Sequence, residues 1–139
     1  MKNLLQTRNY NPEIPSVCTA NSRKANGVYC SGYGTVSENP DIKLFRKEED
    51  FNALARSQTS ILETCSRYVK KGGVLYYSTC SLFERENDGI VGAFLTSHPE
   101  YAVEPLESPL AHDKKKFGLQ FLPDTAYGAG FYVCKMRRK

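Results

Sequence analysis

The sequence has no tryptophan, two methionines and two histidines. Histidine chemistry is thereby confined to His98, which precedes a proline, and His112, in a polar stretch. Neither offers a catalytic triad, and no paired spacing suits a metal ion. CxxC pairs are missing as well. The five cysteines, Cys18, Cys30, Cys65, Cys80 and Cys134, are odd in number and scattered. Disulfide scaffolds and zinc ribbons are disfavoured, and reduced thiols are expected. Apolar runs last only a few residues, so no membrane span is expected, and Met1-Lys2-Asn3-Leu4-Leu5-Gln6 turns polar too soon for a signal peptide. A cytoplasmic location is the resulting expectation. Neither sign of charge dominates: 19 Lys plus Arg against 15 Asp plus Glu give +4, compatible with a polyanionic partner without demanding one. Lys114-Lys115-Lys116 and Lys135 to Lys139 form two basic clusters, each read first as a solvated face or tail.

The 139 residues, 40% hydrophobic, suffice for one domain with one core. Residues 1–26 are irregular, with Pro12 and Pro15 interrupting any helix and room for at most one short strand. Patterning begins at Gly27. From about Lys47 to Val69, the residues Phe51, Leu54, Ala55, Gln58, Ile61, Leu62, Cys65 and Val69 recur at spacings of three and four, the stripe of an amphipathic helix. Glu48, Glu49 and Asp50 suit its first turn, and Lys70, Lys71 and Gly72 its end. Val74 to Thr79 reads as a strand buried in a parallel sheet. Ser81-Leu82-Phe83-Glu84 has capping-box spacing and predicts the start of a second helix, carrying Phe83, Ile90, Val91, Phe94 and Leu95 and ending at His98-Pro99. Phe117 to Leu122 and Gly130 to Met136 predict an antiparallel pair. The fold class expected is therefore α/β, with a mixed sheet whose antiparallel pair lies at one edge.

Ligands of open α/β sheets gather beyond the carboxyl ends of the strands. Cys80 falls there, between a strand end and a capped helix start, where the helix dipole would favour a thiolate and lower the thiol pKa. The plain alternative is a buried cysteine that only packs. Cys30 enters Ser31-Gly32-Tyr33-Gly34 after a strand end expected at Val28-Tyr29. That glycine spacing is weak as a phosphate loop and equally describes a turn. If both cysteines follow neighbouring parallel strands, they open onto one crevice. Cys65 and Cys134 read as core, and Cys18 has no interpretable role.

Cys30-Ser31-Gly32-Tyr33-Gly34, Asn39-Pro40-Asp41-Ile42-Lys43, Lys71-Gly72-Gly73 with Val74 to Ser81, and Glu86-Asn87 together closely resemble the Sun (RsmB-like) family of S-adenosylmethionine-dependent RNA cytosine-5 methyltransferases. Gln120-Phe121-Leu122-Pro123 and Gly130-Phe131-Tyr132 are similar to its closing strands. The resemblance implies the C-terminal half of a Rossmann-like methyltransferase fold over residues 27–139, a partial catalytic domain. Residues 1–26 do not match. It implies Cys80 as the nucleophile that adds to cytosine carbon 6, and Cys30 as the group serving the release step. It further implies RNA as partner, ribosomal or transfer, with an unstacked target base. Lys43 and the C-terminal cluster are candidates for phosphate contacts.

Three departures stand out. Gly27-Val28-Tyr29-Cys30 replaces the family's Asp-x-Pro-Cys, taking a carboxylate from the expected base pocket, and Ala129 stands where an acidic residue is common. Met1 to Asn26 also supply no Pro-Gly-Gly-Lys loop for S-adenosylmethionine, so no cofactor residues are assigned here. The leading expectation is an incomplete methyltransferase whose open sheet invites self-association. The alternatives are a non-catalytic RNA-binding or interaction module derived from that fold, and a thiol redox protein in which Cys30 and Cys80 pair reversibly.

Overall fold

A computed structural model of the chain describes residues 16–19, 30–124 and 128–139. Helical periodicity translates into α2. After β1 (Ser16–Thr19) and the single turn α1 (Ile42–Phe45), α2 runs Glu48–Arg67 with Phe51, Leu54, Gln58, Leu62 and Ser66 buried on one face. The Asp50 carboxylate accepts the Lys47 N–H at 2.8 Å and closes the first turn. Val69 is buried but lies past the last turn, where the Tyr68 and Val69 N–H groups donate to Cys65 and Ser66 carbonyls. Gly72, at φ 78°, then reverses the chain, and its N–H donates to the Arg138 carbonyl at 2.7 Å.

β2 (Val74–Thr79) follows as predicted, and it pairs on both sides. It is parallel to β1, with Ser16 opposite Leu75 and Thr19 opposite Ser78. Its other neighbour is antiparallel β6 (Phe131–Arg138), with Thr79 opposite Tyr132 and Val74 opposite Arg137. A short strand within residues 1–26 is thus present as β1. The strand end expected at Val28-Tyr29 lies outside the described residues.

The second helix begins later than its sequence signal. α3 spans Asp88–Ser97, after a 3-10 turn at Glu84–Glu86. Ser81 is not its cap, because the Ser81 hydroxyl accepts the Phe83 N–H and donates to Glu86 instead. The helix ends at His98 as expected, with the His98 N–H on the Phe94 carbonyl at 2.9 Å.

β3 (Tyr101–Glu104), β4 (Asp113–Lys114) and β5 (Leu119–Phe121) complete a mixed sheet of order β1-β2-β6-β5-β4, with β3 also paired to β6. The predicted antiparallel return is the β5–β6 pair, Gln120 opposite Tyr132. β6 is the spine of the sheet, bounded by β2 on one side and by β5 and β3 along the other. Leu62, Leu75, Val91, Tyr77, Tyr132 and Met136 meet in the core between the sheet and α2 and α3. Fully burying such an aliphatic side chain contributes ~1.5–3 kcal/mol.

This topology separates the two ends of β2. Thr79 lies beside the start of β6, and Val74 beside the C-terminal basic residues, roughly 17 Å away at the usual rise per strand residue. That cluster is not a free tail. Lys135 pairs with Glu104 at 2.8 Å, Arg137 pairs with the same carboxylate, and Arg138 donates to the Val69 carbonyl at 2.6 Å. The two cations hold the Glu104 carboxyl well below the usual range, at about 2.

Candidate active site

Cys80 is the first residue past β2, and the loop beginning at Cys30 folds against it so that the two sulfurs are 2.7 Å apart. Cys30 is buried and Cys80 half-buried. Neither Cys65 nor Cys134 joins this pair. Cys65 packs half-buried on α2, and Cys134 is enclosed in β6, where burial pushes its thiol up to about 12. Cys18 lies in β1, and its side chain is outside the described residues.

The glycines after Cys30 serve close backbone packing. Gly32 takes φ 76° at the start of the 3-10 turn Tyr33–Thr35, and its carbonyl accepts the Thr35 N–H and hydroxyl, each at 2.8 Å. Gly34 donates its N–H to the Cys80 carbonyl at 2.8 Å, while its own carbonyl accepts the Gly130 N–H at 2.6 Å. A Cβ at Gly34 would sit 2.1 Å from the Gly130 oxygen and 2.6 Å from the Cys80 oxygen. Three chain segments therefore meet at a point where no side chain fits.

Beneath the sulfurs lies a buried polar network that sequence reasoning did not anticipate. The carboxylate of Glu86, fully enclosed, accepts the Ser31 N–H at 2.7 Å and the Gln58 side-chain amide at 2.9 Å on one oxygen. Its other oxygen accepts the Ser81 hydroxyl at 2.5 Å. Ser31 and Ser81 each follow one of the two cysteines, and their hydroxyls are 3.1 Å apart. Asn87 continues the network: it accepts the Thr79 hydroxyl at 2.5 Å and donates to the Ser81 carbonyl at 2.9 Å and to Gln120 at 3.0 Å. Removing one partner from such a set leaves a buried polar group unpaired, at ~1–3 kcal/mol. The only sequence signals were a polar Gln58 on an otherwise apolar stripe and the Glu86-Asn87 pair.

Aromatic rings join the same loops. Tyr33 and Phe83 meet edge to face at 4.8 Å, Phe83 meets Phe51 at 5.2 Å, and the Arg85 guanidinium lies 4.0 Å over the Phe51 ring. Beside the Cys30 loop, α1 and the segment before it line an open groove of about 380 Å³ with Glu38, Asn39, Asp41, Ile42 and Arg46.

Contact between the sulfurs sets their protonation. The Cys30 thiol is lowered from its ordinary value, chiefly because the Cys80 thiol donates to it, with help from backbone N–H groups of Cys80 and Gly32 against the cost of burial. The Cys80 thiol is raised, first by that same hydrogen bond, then by burial and the nearby Cys30 charge. Glu86 opposes ionisation of both. Of the two thiols, Cys30 is therefore the one that ionises more readily. The lowering expected at Cys80 from a helix dipole does not arise, since α3 starts at Asp88 and the dipole acts only within its first turn.

The one glycine-rich loop at the site is closed by the backbone atoms around Gly34. Among the described residues no three His, Cys, Asp or Glu side chains converge as metal ligands would.

A family model described as 16S rRNA methyltransferase RsmB/F matches residues 26–137. The probable ribosomal RNA small subunit methyltransferase B of Bacillus subtilis (strain 168) is 40% identical over 115 residues, covering 79% of this chain and 26% of that protein. The crystal structure of PH0851 has a TM-score of 0.74 at 32% identity, over 78% of this chain and 25% of that one. The structure of NSun6 from Pyrococcus horikoshii with SFG has a TM-score of 0.66 at 26% identity, over 78% of this chain and 28% of that one. The chain thus spans about a quarter of the length of the curated relatives it matches.

Proposed function

The chain belongs to the 16S rRNA methyltransferase RsmB/F family, and on that premise we propose that it carries the thiol half of an RNA cytosine-5 methyltransferase site, with ribosomal RNA as the leading substrate. The observation that carries this reading is the 2.7 Å approach of two cysteine sulfurs from loops fifty residues apart. Carbon 5 of cytosine is a poor nucleophile. A thiolate added to carbon 6 places electron density on carbon 5, which can then attack a methyl group. Cys80, directly beyond β2, is the nucleophile. Cys30, the thiol that ionises more readily, takes the Cys80 proton in its thiolate form, so one S–H bond breaks as another forms and the pair's net charge is unchanged. The Cys80 sulfur then spends its freed electron pair on the new bond to carbon 6. Once carbon 5 bears a methyl group it must lose its proton before the Cys80 sulfur can depart with its bonding pair; Cys30, after giving up to solvent the proton it took from Cys80, is again a thiolate and serves as the base that receives it.

When bound, S-adenosylmethionine would supply an electrophilic methyl group. The target base must be unstacked to reach sulfurs this enclosed. Phosphate contacts fall to Lys43 and Arg46 near the Cys30 loop, because the C-terminal cluster lies at the far end of β2 and is engaged by Glu104. Among the described residues no helix is long and apolar enough to cross a membrane, and work on ribosomal RNA would place the chain in the cytoplasm.

A second reading, an RNA-binding module without catalysis, is favoured by the absence of a carboxylate from Gly27-Val28-Tyr29 ahead of Cys30. Trapping separates the two. RNA containing 5-fluorocytosine, with S-adenosylmethionine and the N-terminal part of a family catalytic domain supplied in trans, is expected to form a denaturation-resistant adduct with the wild-type chain and none with Cys80→Ala. Absence of adduct in both, with RNA binding retained, leaves the binding module.

A further inference from the structure

We propose that Glu86 is the positioning residue of the thiol pair, its buried carboxylate fastening the residue after each cysteine and so holding the two sulfurs in contact. The inference rests on the reading of Cys30 and Cys80 as the working thiols, but its geometry is independent of any substrate. Glu86 is 0% exposed. One carboxylate oxygen takes the Ser31 backbone N–H at 2.7 Å, which fixes the chain one residue past Cys30. The other takes the Ser81 hydroxyl at 2.5 Å, one residue past Cys80. The carboxylate is itself held from two further elements. Gln58 of α2 donates to it at 2.9 Å, and the Tyr77 hydroxyl of β2 donates to the Glu86 carbonyl at 2.6 Å.

Acceptors are what this position needs, because it faces a backbone N–H, a side-chain amide and a hydroxyl, all able to donate. An aspartate would be one methylene short of bridging the two loops. The carboxylate's charge has a cost, since it opposes thiolate formation at both cysteines. A residue selected only to raise thiol reactivity would not be an acid here, and the tethering geometry accounts for why one is tolerated.

Thiolate titration followed at 240 nm on the full chain tests the proposal, each protein being read against its own C30A/C80A counterpart so that other thiols and tyrosines cancel. Wild type is expected to show two separated midpoints, one below and one above the ordinary thiol value. E86Q keeps an acceptor for Ser31 and Gln58 and an amide facing Ser81, so the separation persists while both midpoints move down. E86A removes both tethers and should narrow the separation by about two pH units or more, as expected when neighbouring titratable groups part. S81A cuts the tether on the Cys80 side alone and narrows it less. A merely structural role would lower melting temperature and leave the separation unchanged in every folded variant, which overturns the proposal; so does loss of the separation in E86Q. Should E86A fail to fold, E86Q and S81A decide by themselves. No RNA or methyl donor enters the measurement, so failure of the trapping experiment above would condemn the functional reading and leave this result standing.

Discussion

Replacing Gly34 with alanine isolates the contact that locks the two cysteine loops together. The added methyl would lie 2.1 Å from the Gly130 oxygen and 2.6 Å from the Cys80 oxygen, both backbone atoms that cannot swing aside as a side chain would. Relief requires the Cys30 loop to withdraw, which strains or breaks the Gly34 N–H bond to Cys80 at 2.8 Å and the Gly130 N–H bond to Gly34 at 2.6 Å. Overpacking costs ~1–3 kcal/mol, and each backbone bond contributes about 1 kcal/mol net. Partial relaxation cannot avoid both losses together, so ~3 kcal/mol of destabilisation is expected. Gly72→Ala is the control. Its φ of 78° penalises alanine, yet no heavy atom lies within 4 Å of the added methyl, so only ~1 kcal/mol is expected. For a chain of this size ~1 kcal/mol lowers the melting temperature by roughly 4 °C, which places the two variants about 8 °C apart in a thermal melt. A Gly34→Ala protein within about 0.5 kcal/mol of wild type, or no worse than Gly72→Ala, would refute the idea that backbone closure at this point holds the site.

Acid should weaken the fold partly through Glu104, whose folded value of about 2 lies below its ordinary 4.5. The contribution is full above pH 4.5 and is lost as pH falls from there towards 2, so Glu104→Gln should flatten that part of the stability profile in urea titrations between pH 2 and 6. Tyr132→Phe removes a hydroxyl that donates to Asp88 at 2.5 Å, where Asp88 also accepts the Lys116 N–H at 2.8 Å. A loss of ~1–2 kcal/mol in denaturant unfolding is expected, and an unchanged midpoint would show that the turn before β5 needs no such anchor. Cys30→Ala withdraws the largest cause of the raised Cys80 thiol, so the Cys80 midpoint should fall towards the ordinary range in a 240 nm titration, and an unmoved midpoint would mean that burial alone sets it.

Where the sequence could be read, local period and local chemistry agreed. The Phe51, Leu54, Gln58, Leu62 stripe needs no distant partner to identify α2, and Val74 to Thr79 declares a buried strand through its own β-branched and aromatic content. The same locality explains the misreading at Ser81. The Ser81-x-x-Glu84 spacing fits a capping box, but its hydroxyl is claimed by Glu86, a competitor that matters only once Ser31 and Gln58, 55 and 28 residues from Glu86, have arrived. β3 and β4 escaped notice because strands of four and two residues carry too little alternation to signal themselves, and they exist by pairing with β6 and β5.

The site divides along the same line. That Cys30 and Cys80 come together was the expectation if both followed neighbouring strands; their sulfurs do meet, while the strand expected before Cys30 lies outside the described residues. Which of them ionises first did not follow, because ionisation depends on distance and the expected influence, a helix dipole directly after Cys80, was moved along the chain to Asp88 by the 3-10 turn. With that influence gone, the 2.7 Å sulfur contact becomes the largest influence on both thiols. On the proposed reading, the cysteine that attacks is the one whose thiol is held up, and its partner, held lower, is the base that frees it. Spacing in a sequence can nominate two thiols, but only the distance between their sulfurs decides which of them ionises first.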